Sequence, residues 1–310
     1  MAKRFAEKTG VLRRRVARAA VGRLRDNRVT RTTLLRYINA VSSFRSWLLA
    51  NNFGDARTWE DLDSQVGTFI ESLWEEGGTK GTAGCCCSGI QHLLLTRRIL
   101  PGSWSLLSTW QRLEIPARAP PMPWLVLRAV VGVAMLQKRH ALAAALLLAY
   151  HGFLRVTELL TIQKCHLTHS PSGGGVLCLP WTKSGQRRGA QELISITCPV
   201  ITARLSEVLW QLHPLDRLVT FSAPQYRNWF KKCMDLLGLS NLQFQPYSIR
   251  RGGATHWYME SQSLESTLYR GRWSALSTGR IYITEGYSLL AQLSLSTEQV
   301  ARLESISRDA

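Results

Sequence analysis

Acidic residues are scarce in this chain: 21 Asp and Glu stand against 39 Lys and Arg among 310 residues, giving a formal net charge of +18 and a pI near 10.2. That shortage points to a polyanionic partner, although basicity alone does not separate DNA from RNA or an anionic membrane. No C-x-x-C pair occurs among the seven cysteines, and their number is odd. A disulfide framework is thereby disfavoured, and a reduced intracellular compartment is expected, nuclear in a eukaryote and cytoplasmic otherwise. Cys165, His166 and His169 lack further ligands at zinc spacing, so they read as a short strand and loop. The glycine-rich GGTKGTAG at 77–84 lacks the G-K-[ST] order of a phosphate-binding loop and follows a helical pattern, so an interhelical loop is expected. No secretory apolar core follows the N-terminus, and nothing marks export. The apolar run Ala141–Tyr150 is bounded by charge and too short to span a bilayer, which makes it a buried helix and argues against a membrane partner. Internal repeats are missing as well.

The length gives a prior of two domains, and an apolar content of 45% suits globular ones. Residues 1–36 hold twelve Lys or Arg against Glu7 and Asp26, more than half of the excess charge. Residues 1–29 therefore form a basic arm, open to several readings: a phosphate grip, a nuclear address, an organellar transit peptide or a solvated tail. Residues 30–115 read as a helical bundle. Leu34, Ile38, Val41, Phe44 and Leu48 share one helix face, Val66, Phe69, Ile70, Leu73 and Trp74 another, with Asp61 or Asp63 as a cap. A third helix covers the Cys85–Cys87 run and extends to Leu100. Four prolines in the nine residues Ile115–Pro123 cannot continue a helix, which places a semi-rigid connector at 116–123.

Beyond it, helices are expected over Pro123–Leu136 and Arg139–His151, the second closed by Gly152, and a short helix opens at Arg155 with Glu158 one turn on. The period then changes. Gly174–Thr197 reads as a β-hairpin with Lys183 near its tip and Arg187 and Arg188 beside it. Helices resume at Val200–Leu212 and Tyr226–Leu237, where Tyr226, Trp229, Phe230, Cys233, Met234 and Leu237 form a core stripe. Apolar residues from Leu289 to Ile306 suggest a closing helix packed on its own chain or on a neighbour.

The stretch Pro246–Ile283 organises the rest. It sets Arg250 and Arg251 against Gly252 and Gly253, then isolates Trp273 and Tyr282 on small, polar flanks, poor material for a core. Arginine offers a fork of donors that fits phosphate, and the glycines suggest close backbone approach to a ligand. Tyr282, two residues after Arg280, is a phenol able to attack phosphorus if its proton affinity is offset.

Here the chain resembles the tyrosine recombinase (phage integrase) family of DNA strand-transfer enzymes. The matches are Arg155 and Glu158 in GFLRVTELL, Lys183 in PWTKSGQRRG, Arg250 in YSIRRGG, Trp273 in GRWS and Tyr282 in STGRIYI. Lys183 lies 28 residues after Arg155, Trp273 23 after Arg250, and Tyr282 nine after Trp273. The family's first histidine falls at Tyr247, a hydrogen-bond donor whose ordinary pKa near 10 suits it poorly to proton exchange at neutral pH. The resemblance implies a mainly α fold with a small antiparallel β-sheet: a helical core-binding domain at 30–115, a catalytic domain at 124–288 and a C-terminal helix or tail at 289–310.

The implied reaction is site-specific DNA breakage and rejoining, as mobile elements encode it. Tyr282 is the nucleophile that forms a 3′-phosphotyrosine. Arg155 and Arg250 balance transition-state charge with Trp273 and Tyr247 as further donors, Lys183 protonates the leaving 5′-oxygen, and Glu158 orients Arg155 or a neighbouring group. Lys80, Arg187, Arg188, Arg251 and Arg272 are the expected DNA contacts. No metal or nucleotide cofactor is required, and the partners are double-stranded DNA and further copies of the chain, a tetramer on paired sites. Two alternatives stand beside it: a DNA-binding remnant without cleavage, supported by Tyr247, and a type IB topoisomerase.

Overall fold

The computed structural model describes residues 11, 13–16, 18–170, 173–180, 182, 185 and 191–309. The chain divides into two compact units, 1–117 and 118–310.

The first unit is helical. Helices α1 (Arg31–Ala50), α2 (Trp59–Glu75), α3 (Lys80–Leu93) and α4 (Pro101–Leu113) enclose a core of Phe44, Val66, Phe69, Ile70, Cys86, Cys87, Leu107 and Trp110. Three sequence expectations shift. Most of 77–84 is helix, because Thr79 caps α3 and only a short turn separates it from α2. The third helix stops near Leu93, and Pro101 starts a separate one. Thr58 caps α2, its hydroxyl accepting from the Asp61 amide while its own amide donates to the Asp61 carboxylate. Asp63 instead accepts from the amides of Gly102 and Ser103 at 2.7 and 2.9 Å, satisfying the opening donors of α4. On α1 the expected stripe holds at Val41, Phe44 and Leu48, which pack on this core, while Ile38 faces outward and Ala40 is buried. Burial pushes the Cys87 thiol up to about 12, with Asp63 adding to it; this cysteine acts as a small apolar side chain.

The second unit is built on an apolar helical hairpin, α5 (Trp124–Leu136) and α6 (His140–His151). Nearly every side chain of α6 is buried, which identifies a core helix. After the single turn α7 (Val156–Leu159) come three antiparallel strands in the order β1 (Leu167–His169), β2 (Gly175–Leu179), β3 (Glu192–Ile196). In the β2–β3 register Leu177 faces Ile194, and the alternation buries Leu177, Leu179, Ile194 and Ile196. Helices α8 (Pro199–Leu209) and α9 (Ala223–Leu237) follow, and the α9 stripe from Tyr226 to Leu237 is buried as its spacing implied.

Helix α10 (Ser248–Ser261) lies against α5 and α6 and leads into α11 (Leu264–Gly271) and α12 (Leu276–Tyr282). Two helices close the chain, α13 (Glu285–Leu293) and α14 (Thr297–Ile306). α14 packs on α5 of its own chain: Leu303 is fully buried, and Arg128 donates to the Ser307 carbonyl at 2.8 Å. A β-carbon at Gly132 would lie 2.1 Å from the Ile306 carbonyl oxygen, so only glycine admits this contact. Among the described residues no helix is long and apolar enough to cross a membrane.

Gly132→Ala is expected to lift the end of α14 from α5, costing about 1–3 kcal/mol by overpacking. Chemical denaturation and hydrogen exchange of residues 297–306 check this; unchanged protection there would contradict the fit.

Candidate functional site

The site starts from a buried carboxylate. Glu158, on α7, is 5% exposed and touches three arginines. Its oxygens accept from Arg155 Nη1 at 2.5 Å, from the Arg155 amide at 2.8 Å and from Arg272 Nη2 at 2.8 Å, while Arg250 Nη1 stands 3.9 Å away. Burial alone would push this carboxyl up; Arg272, the Arg155 amide, and the Arg155 and Arg250 charges outweigh it and hold the group below the usual carboxylate range. The amide bond also caps α7, so local helix chemistry and the site share one side chain.

Arg250 is almost wholly buried at 1% exposure. Its Nη1 donates to the Phe153 carbonyl and its Nη2 to the Gly271 carbonyl, the latter at 3.1 Å. Burial, then Arg155 and Arg272, press its pKa down to about 10, with Glu158 opposing. Phe153 reaches this position through a left-handed backbone, φ +47°, rare for a bulky residue. Gly152 closes α6 as its C-cap, as expected, with φ −94°, and the left-handed turn falls on the next residue. The strained residue delivers one carbonyl to two guanidinium groups, because Arg272 also donates to it at 3.3 Å.

Helix α10 is held where Arg250 can make these contacts by backbone approach. β-Carbons at Gly252 and Gly253 would stand 2.1 Å from the Met122 oxygen and 2.0 Å from the Tyr150 oxygen. The glycines expected to admit a ligand thus admit the protein's own α5 entrance and α6.

Over Arg250 lies an aromatic stack. The Trp273 and Tyr282 rings are 4.4 Å apart, and the Arg250 guanidinium is 5.3 and 5.2 Å from their centroids. Trp273 Nε1 and Arg250 Nε are buried without a hydrogen-bond partner among the described residues. Tyr247, at the first cap of α10, donates its hydroxyl to the hydroxyl of Tyr282, the last residue of α12. Burial first, then the hydrogen bond to Tyr282 and its charge, push the Tyr247 phenol well above its ordinary value, against Arg250 and Arg155.

Arg155, Glu158, Tyr247, Arg250, Trp273 and Tyr282 are thus brought together, with Arg155 the more accessible arginine at 26% side-chain exposure. Arg251 and Arg272, expected on a DNA-contacting surface, are corrected to interior residues. Arg251 is 3% exposed and donates to the Ala119 carbonyl, and to the Ile281 carbonyl and Thr284 hydroxyl at 3.2 Å each, tying the linker to the end of α12. Arg272 is held between Glu158 and Glu192, the latter 3.3 Å from its Nε. Lys80 lies in the first unit, where its ammonium donates to Gln111 at 2.6 Å. Lys183, Arg187 and Arg188 fall outside the described residues.

Glu192 escaped the sequence reading. Its signal was present: it is the only acid between Glu158 and Glu207, and it occupies the inward face of β3. The Phe153 carbonyl left no such mark, since a main-chain acceptor has no residue type.

In sequence, no family profile and no curated protein matches the chain. Solved structures do match in fold. The Tn1549 transposon integrase (residues 82–397) in complex with transposon right end DNA aligns with a TM-score of 0.56 at 12% identity, over 91% of this chain and 95% of that one. A lambda integrase (75–356) dimer bound to a COC′ core site gives 0.55 at 12% identity, over 84% and 90%. The XerH site-specific recombinase bound to palindromic difH substrate, a post-cleavage complex, gives 0.52 at 13% identity, over 78% and 73%. The chain has the tyrosine recombinase fold.

Glu158→Gln is expected to cost about 3–5 kcal/mol near neutral pH, because buried guanidinium charge loses its counter-charge. A carboxyl held low when folded contributes stability that is complete above its unfolded pKa of about 4.3 and is lost as pH falls through its folded value. Thermal unfolding from pH 7 downward should therefore fall less steeply in the variant; parallel curves would remove Glu158 from the charge balance.

Proposed function

We propose that this protein is a DNA strand-transferase that breaks and rejoins duplex DNA through Tyr282. One observation carries the reading: on a fold shared with DNA-bound recombinases, Tyr247, Arg250 and Trp273 meet the Tyr282 phenol, and Arg155, almost 130 residues before it in sequence, joins Arg250 through their shared contact with Glu158. In the proposed reaction the Tyr282 oxygen attacks phosphorus, the P–O5′ bond breaks, and a 3′-phosphotyrosine forms while the 5′-oxygen takes a proton. The covalent bond keeps the energy needed for religation.

Arg155, at the rim, is the cation best placed to meet a non-bridging oxygen, and the indole N–H of Trp273 is a buried donor without an acceptor among the described residues. Arg250 supplies positive charge beneath the Tyr282 ring. Lys183 remains the proposed acid for the leaving oxygen, and site-specific recombination of a mobile element, on paired sites bound by several copies, is the proposed setting. The core-binding role of residues 30–115 and phosphate contact by Lys80, Arg187, Arg188 and the basic arm belong to the same proposal.

Tyr282→Phe should abolish covalent protein–DNA adducts on a nicked suicide substrate and leave DNA binding nearly intact; denaturing gels and a binding isotherm read the two. Adducts formed by the Phe variant would overturn the assignment of the nucleophile. A wild type that binds DNA without forming any adduct would favour the non-cleaving reading.

Arg155→Ala should lower adduct formation by about a hundredfold, the scale of one transition-state donor, with a much smaller loss of binding. Deleting residues 1–28 should weaken binding and reduce the log–log salt slope by about 0.9 for each phosphate that the arm neutralises. Equal losses of cleavage and binding in Arg155→Ala, or an unchanged slope in the deletion, would contradict these roles.

A further inference from the structure

The hydroxyl at the place of the expected phosphate-binding histidine is directed elsewhere. Tyr247 donates its hydroxyl hydrogen to the Tyr282 oxygen, and the two rings meet at 5.8 Å between centroids with an angle of 50°. Two parts of the fold make this approach hard to avoid. Tyr247 is fixed at the mouth of α10, whose next turns are locked against Met122 and Tyr150 by Gly252 and Gly253. Tyr282 is fixed at the end of α12, where Thr255 donates to its carbonyl at 3.0 Å and Trp273 stacks on its ring.

From this geometry we infer that Tyr247 acts on the nucleophile and not on the DNA: its hydroxyl stabilises the phenolate that Tyr282 becomes as it attacks. The inference rests on the reading of Tyr282 as the nucleophile and gives Tyr247 a role within it. A donor aimed at an oxygen that gains negative charge strengthens as the charge develops, and a hydrogen bond to a charged acceptor is about twice as strong as a neutral one. The proton balance is simple. Tyr282 gives its own proton to solvent or to a base, Tyr247 keeps its proton, and the donated hydrogen bond stays in place throughout. The upward push on the Tyr247 phenol agrees, since a donor that holds its proton tightly does not compete for ionisation.

The charged groups around the pair act in the same direction. Arg250 lies beneath the Tyr282 ring at 5.2 Å, Arg251 donates to the Ile281 carbonyl next to it, and Arg155 acts on Tyr247 from α7. Glu158 opposes them from below, but its charge is shared among Arg155, Arg250 and Arg272. The two hydroxyls therefore meet above a cationic floor.

The test separates this role from the overall function by using a readout that needs no DNA. Tyrosinate absorbance is titrated in the full chain for the wild type, Y247F, Y282F and the double variant. The wild type minus Y282F gives the Tyr282 transition with Tyr247 present as its lower-pH step, the change in Tyr247 itself appearing as a separate step at higher pH, and Y247F minus the double variant gives it without.

Loss of the donor is expected to move that transition up by about one to two pH units, the size of one hydrogen bond to a charged acceptor. Adduct formation by Y247F on a suicide substrate should fall at neutral pH and recover as pH rises, while DNA affinity stays level. Tyr247→His, which restores a donor, should return both readouts toward wild type. Y247F is a conservative change at a 38% exposed position, and its folding is verified by thermal unfolding. Coincident Tyr282 transitions in the two differences would overturn the proposal. So would a pH-independent loss of adduct in Y247F, which would return the hydroxyl to the phosphate. If the titration shifts but no protein forms adducts, the hydrogen-bonded pair stands and the strand-transfer reading fails.

Discussion

Everything in the second unit's site is arranged around the problem of keeping positive charge inside a protein. Arg250 and Arg272 are buried, Arg155 is half-buried beside them, and one carboxylate, Glu158, contacts all three. A guanidinium taken out of water costs several kcal/mol unless its charge and its donors are met. Here the carboxylate meets part of the charge, Glu192 meets a further part at Arg272, and carbonyls of Phe153 and Gly271 take the donors of Arg250. Two acids among three cations leave a net positive floor. That surplus is what a site for a phosphodiester needs, and it exists before any ligand arrives.

The surplus is held by packing at short range. α10 carries Arg250 and has Tyr247 as its cap, and it can lie this close to α5 and α6 only because glycines stand where side chains would collide with backbone. Arg251 points the other way along the same helix and binds the linker and the end of α12. One helix thus sets the depth of the buried cation and the position of the phenol above it. The aromatic stack of Phe153, Trp273 and Tyr282 then closes over the guanidinium.

Much of this was legible in the residues themselves. The Arg155–Glu158 spacing of one helical turn predicts contact, the change of period predicts the hairpin strands, and the stripe on α9 predicts a core face. These features depend on neighbours in sequence, where periodicity and reach decide the outcome. The Arg272–Glu192 pair, the partners of Gly252 and Gly253, and the Tyr247–Tyr282 contact join elements far apart along the chain, and the composition at one end says nothing of the other. Arg251 and Arg272 were misread for the same reason. An arginine in a basic protein looks like surface until the structure supplies its buried acceptors.

Phe153 shows where mutational reading has a blind spot. Its contribution to the charge balance passes through a main-chain oxygen, so replacing the ring would register as a packing change and leave the electrostatic role unseen. The ring is 1% exposed and stacked on Trp273, so its loss would be felt through packing first. Only a chemical edit of the backbone, such as an ester in place of the amide that follows Phe153, would weaken that acceptor directly.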